Sequence, residues 1–169
     1  MALLEPCVKG EIMGIGPSTK ETSKHHFVDP LIKVISEDRD VNLKGIIVVG
    51  TPQSNAEKHY VGERTAVTVA NMQVDGCIIT TDGFGNSHVD FAHTIEEIGR
   101  RDIPIVGMSF VGQQGKFVTT NRYMDTIVDT NKSVEGVETT IVGENSANEI
   151  DARKALAMLK LKIRRNNEI

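Results

Sequence analysis

Between Gly76 and Asp90 the apolar run Cys77-Ile78-Ile79 passes without a break into two threonines, an acid, a Gly-x-Gly turn and the start of a helix. An open α/β sheet builds a ligand site in this way, at the carboxyl end of a strand, where glycines let backbone approach a ligand closely. The segment therefore predicts a fold class and also a place to look for chemistry. The candidates it supplies are Thr80, Thr81, Asp82, Gly83, Gly85 and Asn86.

The flanking sequence supports a parallel sheet. Gly45-Ile46-Ile47-Val48-Val49-Gly50 is a short apolar run bounded by glycines, the pattern of a strand covered on both faces. A polar loop from Thr51 to Lys58 and a helix over Val61 to Val74 lead to the strand Cys77 to Thr81. Apolar residues at Val89, Ala92, Ile95 and Ile98 then mark an amphipathic helix, which Asp102-Ile103-Pro104 ends before a strand at Ile105 to Phe110. Two consecutive strand-helix-strand units favour a three-layer α/β fold, an open and mostly parallel sheet with helices on both faces. Further strands are expected at Val8 to Ile15, Thr126 to Thr130 and Thr139 to Val142, and helices at His26 to Glu37 and Ala147 to Ile163. With 169 residues, no internal repeat and no linker-like tract, one domain spanning 1–169 is expected.

Charge and composition narrow the function. A net charge of −4 with both signs interspersed provides no basic field, and there is no tryptophan, so a nucleic-acid partner is disfavoured. The basic cluster Lys160, Lys162, Arg164 and Arg165 reads as a solvated helix end. No apolar run approaches the roughly 20 residues that span a bilayer. Cys7 and Cys77 show no CxxC spacing, and the first residues carry neither a basic segment nor an apolar signal core. A reduced, cytoplasmic setting is the expectation.

Other motifs carry less. Gly14-Ile15-Gly16-Pro17-Ser18-Thr19-Lys20 completes neither a Walker loop nor GxGxxG, because its lysine follows threonine and Thr19 takes the third glycine position. A nucleotide-binding module is thus the last-ranked reading, although the hydroxyls of Ser18, Thr19, Thr22 and Ser23 could face a carboxylate. His25, His26, Asp29, His88 and Asp90 lack the HxxxH or HxH spacing that puts two imidazoles on one face, so no metal is expected. Ser87 or Asn86 as a helix cap, with Asp90 stabilised in the first turns, accounts for the second group. Cys77, among apolar neighbours, reads as a small core residue with a raised pKa rather than a nucleophile.

Taken together, the stretch from Gly14 to Leu31 and the element Thr80-Thr81-Asp82-Gly83-Phe84-Gly85-Asn86-Ser87-His88-Val89-Asp90 resemble the D-proline reductase and glycine/sarcosine/betaine reductase component B family. Arg101-Asp102-Ile103-Pro104-Ile105-Val106, which follows the helix, adds to the likeness. The resemblance covers most of the chain. It is to the carboxyl-terminal, pyruvoyl-bearing fragment of the proline reductase proprotein, or to a short free-standing paralogue from a proline reductase gene cluster.

The resemblance implies reductive opening of the D-proline ring to 5-aminopentanoate with dithiol electrons, through an iminium between a pyruvoyl carbonyl and the substrate amine. It implies a multisubunit complex with other proline reductase subunits, a selenoprotein among them. Cys7 is the position that matches the pyruvoyl precursor. Ser18, Thr19 and His25 join the Thr80 to Asn86 loop as substrate- or partner-binding candidates. Pro6 stands where the family implies threonine or asparagine before the processed cysteine, and its fixed φ hinders the acyl shift that begins cleavage. That departure keeps a second reading open, a non-catalytic structural or maturation partner of the pyruvoyl subunit.

Overall fold

The computed structural model describes residues 30–81, 86–112, 117, 119–137, 139, 141, 144 and 147–168, with Asn86 described in its backbone alone. Seven elements follow in order: α1 (Pro30–Glu37), α2 (Asn55–Asn71), β1 (Cys77–Thr81), α3 (Asn86–Gly99), β2 (Ile105–Ser109), β3 (Ile127–Asp129) and α4 (Glu149–Asn167). The strands form a parallel sheet in the order β1-β2-β3. The expected strand at Val8 to Ile15, the polar loop after it and the residues before Pro30 lie outside the described residues.

Strand alternation divides the core in two. Ile78, Val106, Met108 and Val128 pack against Leu31 and Val34 of α1 and against Ala152, Ala155, Leu156 and Leu159 of α4. Cys77, Ile79, Ile105 and Ile127 pack on the opposite face, against Ala66 and Val69 of α2 and Phe91, Ile95 and Ile98 of α3. Helices therefore cover both faces, and the expected three-layer α/β architecture is the one observed. All five residues of β2 are buried, which is why its sequence reads as a continuous run rather than an alternating one.

Helix boundaries follow their caps. Ser54 Oγ accepts from the Glu57 backbone N–H and starts α2 at Asn55, well before the expected Val61, so part of the polar 51–58 stretch is helical. Asn148 and Asp151 form a reciprocal capping box at the head of α4. Between β2 and β3 no described residue is helical, and described residues of the connection pack on α3. Phe117 stacks on Phe91 with centroids 6.0 Å apart, and Asn121 Nδ2 donates to the Ala92 carbonyl at 2.8 Å.

Two expectations differ from the structure. Gly45 to Gly50 is not a strand: no described residue pairs with it, and Ile47 and Val48 are 36% and 46% exposed. An apolar run becomes a strand only where a neighbouring edge supplies ladder hydrogen bonds, and among the described residues β1 pairs with β2 alone. At 139–142, Thr139 and Ile141 are described and lie outside any strand; Thr140 and Val142 are not described.

Candidate functional site at the carboxyl edge of the sheet

The parallel register sets Thr81 beside Ser109 and Ser109 beside Asp129, so three polar residues end the three strands in one row. Helix α3 leaves β1 at this edge. Helix α2 descends toward the start of β1, so its amino terminus also lies at the carboxyl edge. Contacts between the two helices confirm that they run parallel: Lys58 meets Asp90, His59 stacks against His93 with centroids 4.4 Å apart, and Gly62 faces His93 and Thr94. Two helix amino termini and three strand ends therefore converge.

At this junction Lys58 Nζ donates to Asp90 Oδ2 at 2.6 Å, and the two side chains are 3% and 7% exposed. Asp90 Oδ1 is buried and accepts no hydrogen bond from the described residues. His88, 1% exposed, brings Nε2 to 3.4 Å from Ser109 Oγ, and its ring lies against Phe117. Ser109 Oγ also lies 3.3 Å from the Phe110 carbonyl, positioned to donate to it; a serine used in that way accepts from a protonated His88 Nε2. Asp90 and His88 thus tie the first turns of α3 to α2 on one side and to β2 on another.

Asp129 shapes the neighbouring loop. Its carboxylate accepts from the backbone N–H groups of Val111, Gly112 and Asn131 at 2.9 to 3.0 Å. Gly112, at φ +57°, packs so closely on the Gly136 carbonyl that an added Cβ would sit 2.4 Å from its oxygen. Lys132 then pairs with Asp151 in the first turn of α4 at 2.7 Å. The carboxyl edge is in this way bound to all three long helices.

Of the residues proposed from the sequence, Thr80 and Thr81 are the last two of β1, and alternation turns them to opposite faces of the sheet. Thr81 lies on the α3 side, in the row with Ser109 and Asp129; Thr80 is exposed on the other side. The backbone of Asn86 opens α3. Asp82, Gly83, Gly85, Ser18, Thr19, His25 and Cys7 lie outside the described residues. Asp90, expected to act on the helix dipole, instead meets a buried cation.

The sequence reading passed over Lys58, Ser109 and Asp129. For Lys58 a signal exists: Lys58, Gly62, Ala66 and Val69 are the buried residues of α2, a helical stripe with a lysine at its head. Cys77 behaves as expected, since burial pushes its thiol up to about 12, with the Lys162 charge opposing weakly, and it sits at the far, amino end of β1. No group of three or more His, Cys, Asp or Glu side chains among the described residues is placed to hold a metal ion. No helix among them is long and apolar enough to cross a membrane.

The family model for glycine/sarcosine/betaine reductase component B subunits matches residues 5–154. The chain belongs to that family. It is 48% identical over 149 residues to the D-proline reductase proprotein PrdA of Acetoanaerobium sticklandii, a match covering 88% of this chain and 24% of that protein. It is 26% identical over 106 residues to the sarcosine reductase complex component B subunit alpha of Peptoclostridium acidaminophilum, covering 60% of this chain and 25% of that one. The chain thus corresponds to about a quarter of each of these relatives. No solved structure matches it. The matched region of the family runs through the whole carboxyl edge, from Lys58 to Asp151.

Proposed function

We propose that this chain is a subunit of a D-proline reductase type assembly in the cytoplasm, working with other proline reductase subunits that include a selenoprotein. The observation that carries the reading is the 48% identity to a D-proline reductase proprotein over nearly the whole chain. In the reaction the bond between the ring nitrogen and Cα breaks, Cα and nitrogen each gain a hydrogen, and a dithiol is oxidised to a disulfide. The product is 5-aminopentanoate. A pyruvoyl group formed from Cys7 would supply the electron sink that weakens this bond.

The chain's own contribution is the carboxyl edge. The amino termini of α2 and α3 place partial positive charge beside the Thr80 to Asn86 loop, which suits the carboxylate of an amino-acid substrate. His88 and Ser109, buried between α3 and β2, keep the first turn of α3 against the sheet. Thr81 offers a hydroxyl on the same side.

Pro6 ahead of Cys7 favours a second reading, a structural or maturation partner that carries no pyruvoyl group. Intact mass of the chain taken from an active complex separates the two. Loss of Met1 to Pro6 with conversion of Cys7 to pyruvoyl supports the catalytic reading. An unmodified Cys7 in a complex that forms 5-aminopentanoate supports the partner reading, and a chain that joins no such complex overturns both.

A further inference from the structure

Helix α4 is apolar on two sides. Its inner stripe, Ala152, Ala155, Leu156 and Leu159, packs in the core against the sheet. A second line faces the other way: Ile150, Lys154, Met158, Leu161 and Arg165 follow one another at intervals of three or four residues, which puts them on one face of the helix. Ile150, Met158 and Leu161 are 63%, 40% and 47% exposed. A helix lying on a surface needs one apolar stripe, with polar residues opposite. Single exposed aliphatics are ordinary, but here three share a line about 16 Å long.

The charge around this line is mostly of one sign. Arg153 and Arg164 border it, Lys154 and Arg165 lie in it, and all four are exposed. Of the acids nearby, Glu149 is held by Lys33 at 2.6 Å and approached by Arg153 at 3.7 Å, Asp151 turns inward to Lys132, and Glu168 caps the far end. The basic cluster that reads as a solvated helix end is therefore divided. Lys160 bonds to Asp38 and Asp40, and Lys162 to Asp125 and the Ile105 carbonyl, whereas Arg164 and Arg165 are left on the outward side.

This charge selects the occupant. A second copy laid on the same face would set these bases against their own kind, and like charges across an interface are costly. An anionic membrane matches the sign, yet helices that bind there carry Trp, Phe or Leu on a broad apolar face. Helix α4 has no aromatic residue, and its broader apolar face is in the core. A protein surface whose apolar residues are fringed by carboxylates fits both the line and its border.

We propose that the outward face of α4 seats another subunit of the assembly, through an apolar surface bordered by Asp and Glu side chains. This rests on the multisubunit reading above for the partner, and on α4 alone for the partner's chemistry. Met158 and Leu161 supply the contact that excludes water, and the bases around them set the register and speed the encounter.

The test treats the untagged complex with a carbodiimide, which joins an amine to a carboxylate only where the two already touch, and maps the products by mass spectrometry. The expected product links Lys154 to an Asp or Glu of another subunit, in a stretch that also carries apolar residues. Leu161→Ser and, separately, the double variant Arg164→Glu, Arg165→Glu should each weaken assembly about tenfold while the chain melts close to wild type, with added salt narrowing the gap for the arginine variant. Arg64→Glu, exposed on α2, should assemble as the wild type does. Lys154 linked only within its own chain or to a second copy overturns the proposal, and so does unaltered assembly of both variants. Binding to vesicles of phosphatidylcholine and phosphatidylglycerol that is lost in Leu161→Ser, with no link from Lys154 to another subunit, overturns it in favour of a membrane. Where a variant melts early, the link in the wild type decides. The two readings fail separately: a complex that carries the link but forms no 5-aminopentanoate removes the reductase reading and keeps this surface, and one that forms the product without the link does the reverse. A chain that joins no complex removes both.

Discussion

The two ends of the sheet handle charge differently. At the carboxyl end one pair is enclosed on both sides, Lys58 with Asp90, and buried Asp151 meets the partly exposed Lys132, while Asp129 and the Lys33–Glu149 pair are exposed. At the amino end the charged groups are many and mostly wet. Arg100 and Arg101 reach Glu96 and Glu97 along α3, Lys160 bridges Asp38 and Asp40, and Lys162 pairs with Asp125 while donating to the Ile105 carbonyl. Exposed pairs are worth roughly 0–1 kcal/mol and can drift without consequence, whereas a buried pair must be kept whole. The shallow hollow at the amino end, bordered by Val74, Asp102, Pro104 and Ile163, has no buried ion pair like Lys58–Asp90.

The largest effect should come from breaking the enclosed pair on one side. Asp90→Ala leaves Lys58 buried and uncompensated, and should destabilise the fold by about 3–5 kcal/mol, lowering the melting temperature by some 6–20 °C. Calorimetry at neutral pH measures it. A loss no greater than that of Glu96→Gln at the other end would erase the distinction between the two ends.

Midway between the ends, Gly107 tests whether the sheet transmits that rigidity. A Cβ at Gly107 would lie 2.5 Å from Ile127 Cδ1 and 2.7 Å from Phe91 Cζ, both in the α3-side core. Gly107→Ala should cost about 1–3 kcal/mol through forced repacking, read as a lower urea midpoint with an unchanged slope. An unaltered midpoint would mean that β2 and α3 are less tightly joined than their contacts indicate.

Much of this contrast was readable beforehand, but unevenly. Ile105 to Ser109 declares itself because it is buried on both faces, Cys77 to Thr81 by its short apolar run, and the helix between them by its amphipathic stripe, each bounded by turn residues. The caps Ser54 and Asn148 were also legible in principle, since each is followed three residues later by an acid. Lys58 was hidden because a lysine is ordinarily solvent-facing, and only the Gly62-Ala66-Val69 stripe shows which way it turns. Ser109 and Asp129 depend on strand register, which long-range pairing determines and local pattern does not. Gly45 to Gly50 misled for a related reason: composition states what a strand prefers, while a strand also needs an edge to join.

Cys77 supplies a gentler probe of the amino end. Its folded pKa is raised to about 12 from 9.0, so its stabilising contribution is fully present below pH 9 and is lost as pH rises toward 12. Between those values Cys77 in the native chain should resist iodoacetamide while in the urea-unfolded chain it reacts at once, as followed by mass spectrometry of the peptide that carries it, apart from Cys7. Rapid labelling of Cys77 in the native chain at pH 8 would show that this end opens far more readily than the other.

The smallest effect belongs to Lys160, whose ammonium bonds to both oxygens of Asp38 at 2.7 and 2.8 Å between α4 and the end of α1. The hydrogen bond from Lys160 holds the Asp38 carboxyl below its ordinary 3.8, and donating to Asp38 and Asp40 raises Lys160 above 10.5. The sign follows for each partner. Whatever the pair contributes is present above pH 3.8 and fades as pH falls through the lowered Asp38 value, and it is present below pH 10.5 and fades as pH climbs through the raised Lys160 value. Melting curves of wild type and Lys160→Met should therefore differ slightly at pH 7, converge in strong acid and converge again in strong alkali, with added salt narrowing the neutral gap. A gap at pH 7 as wide as that of Asp90→Ala would mean that burial is not what separates the two ends, because here both partners are hydrated and the geometry of the bond is just as good.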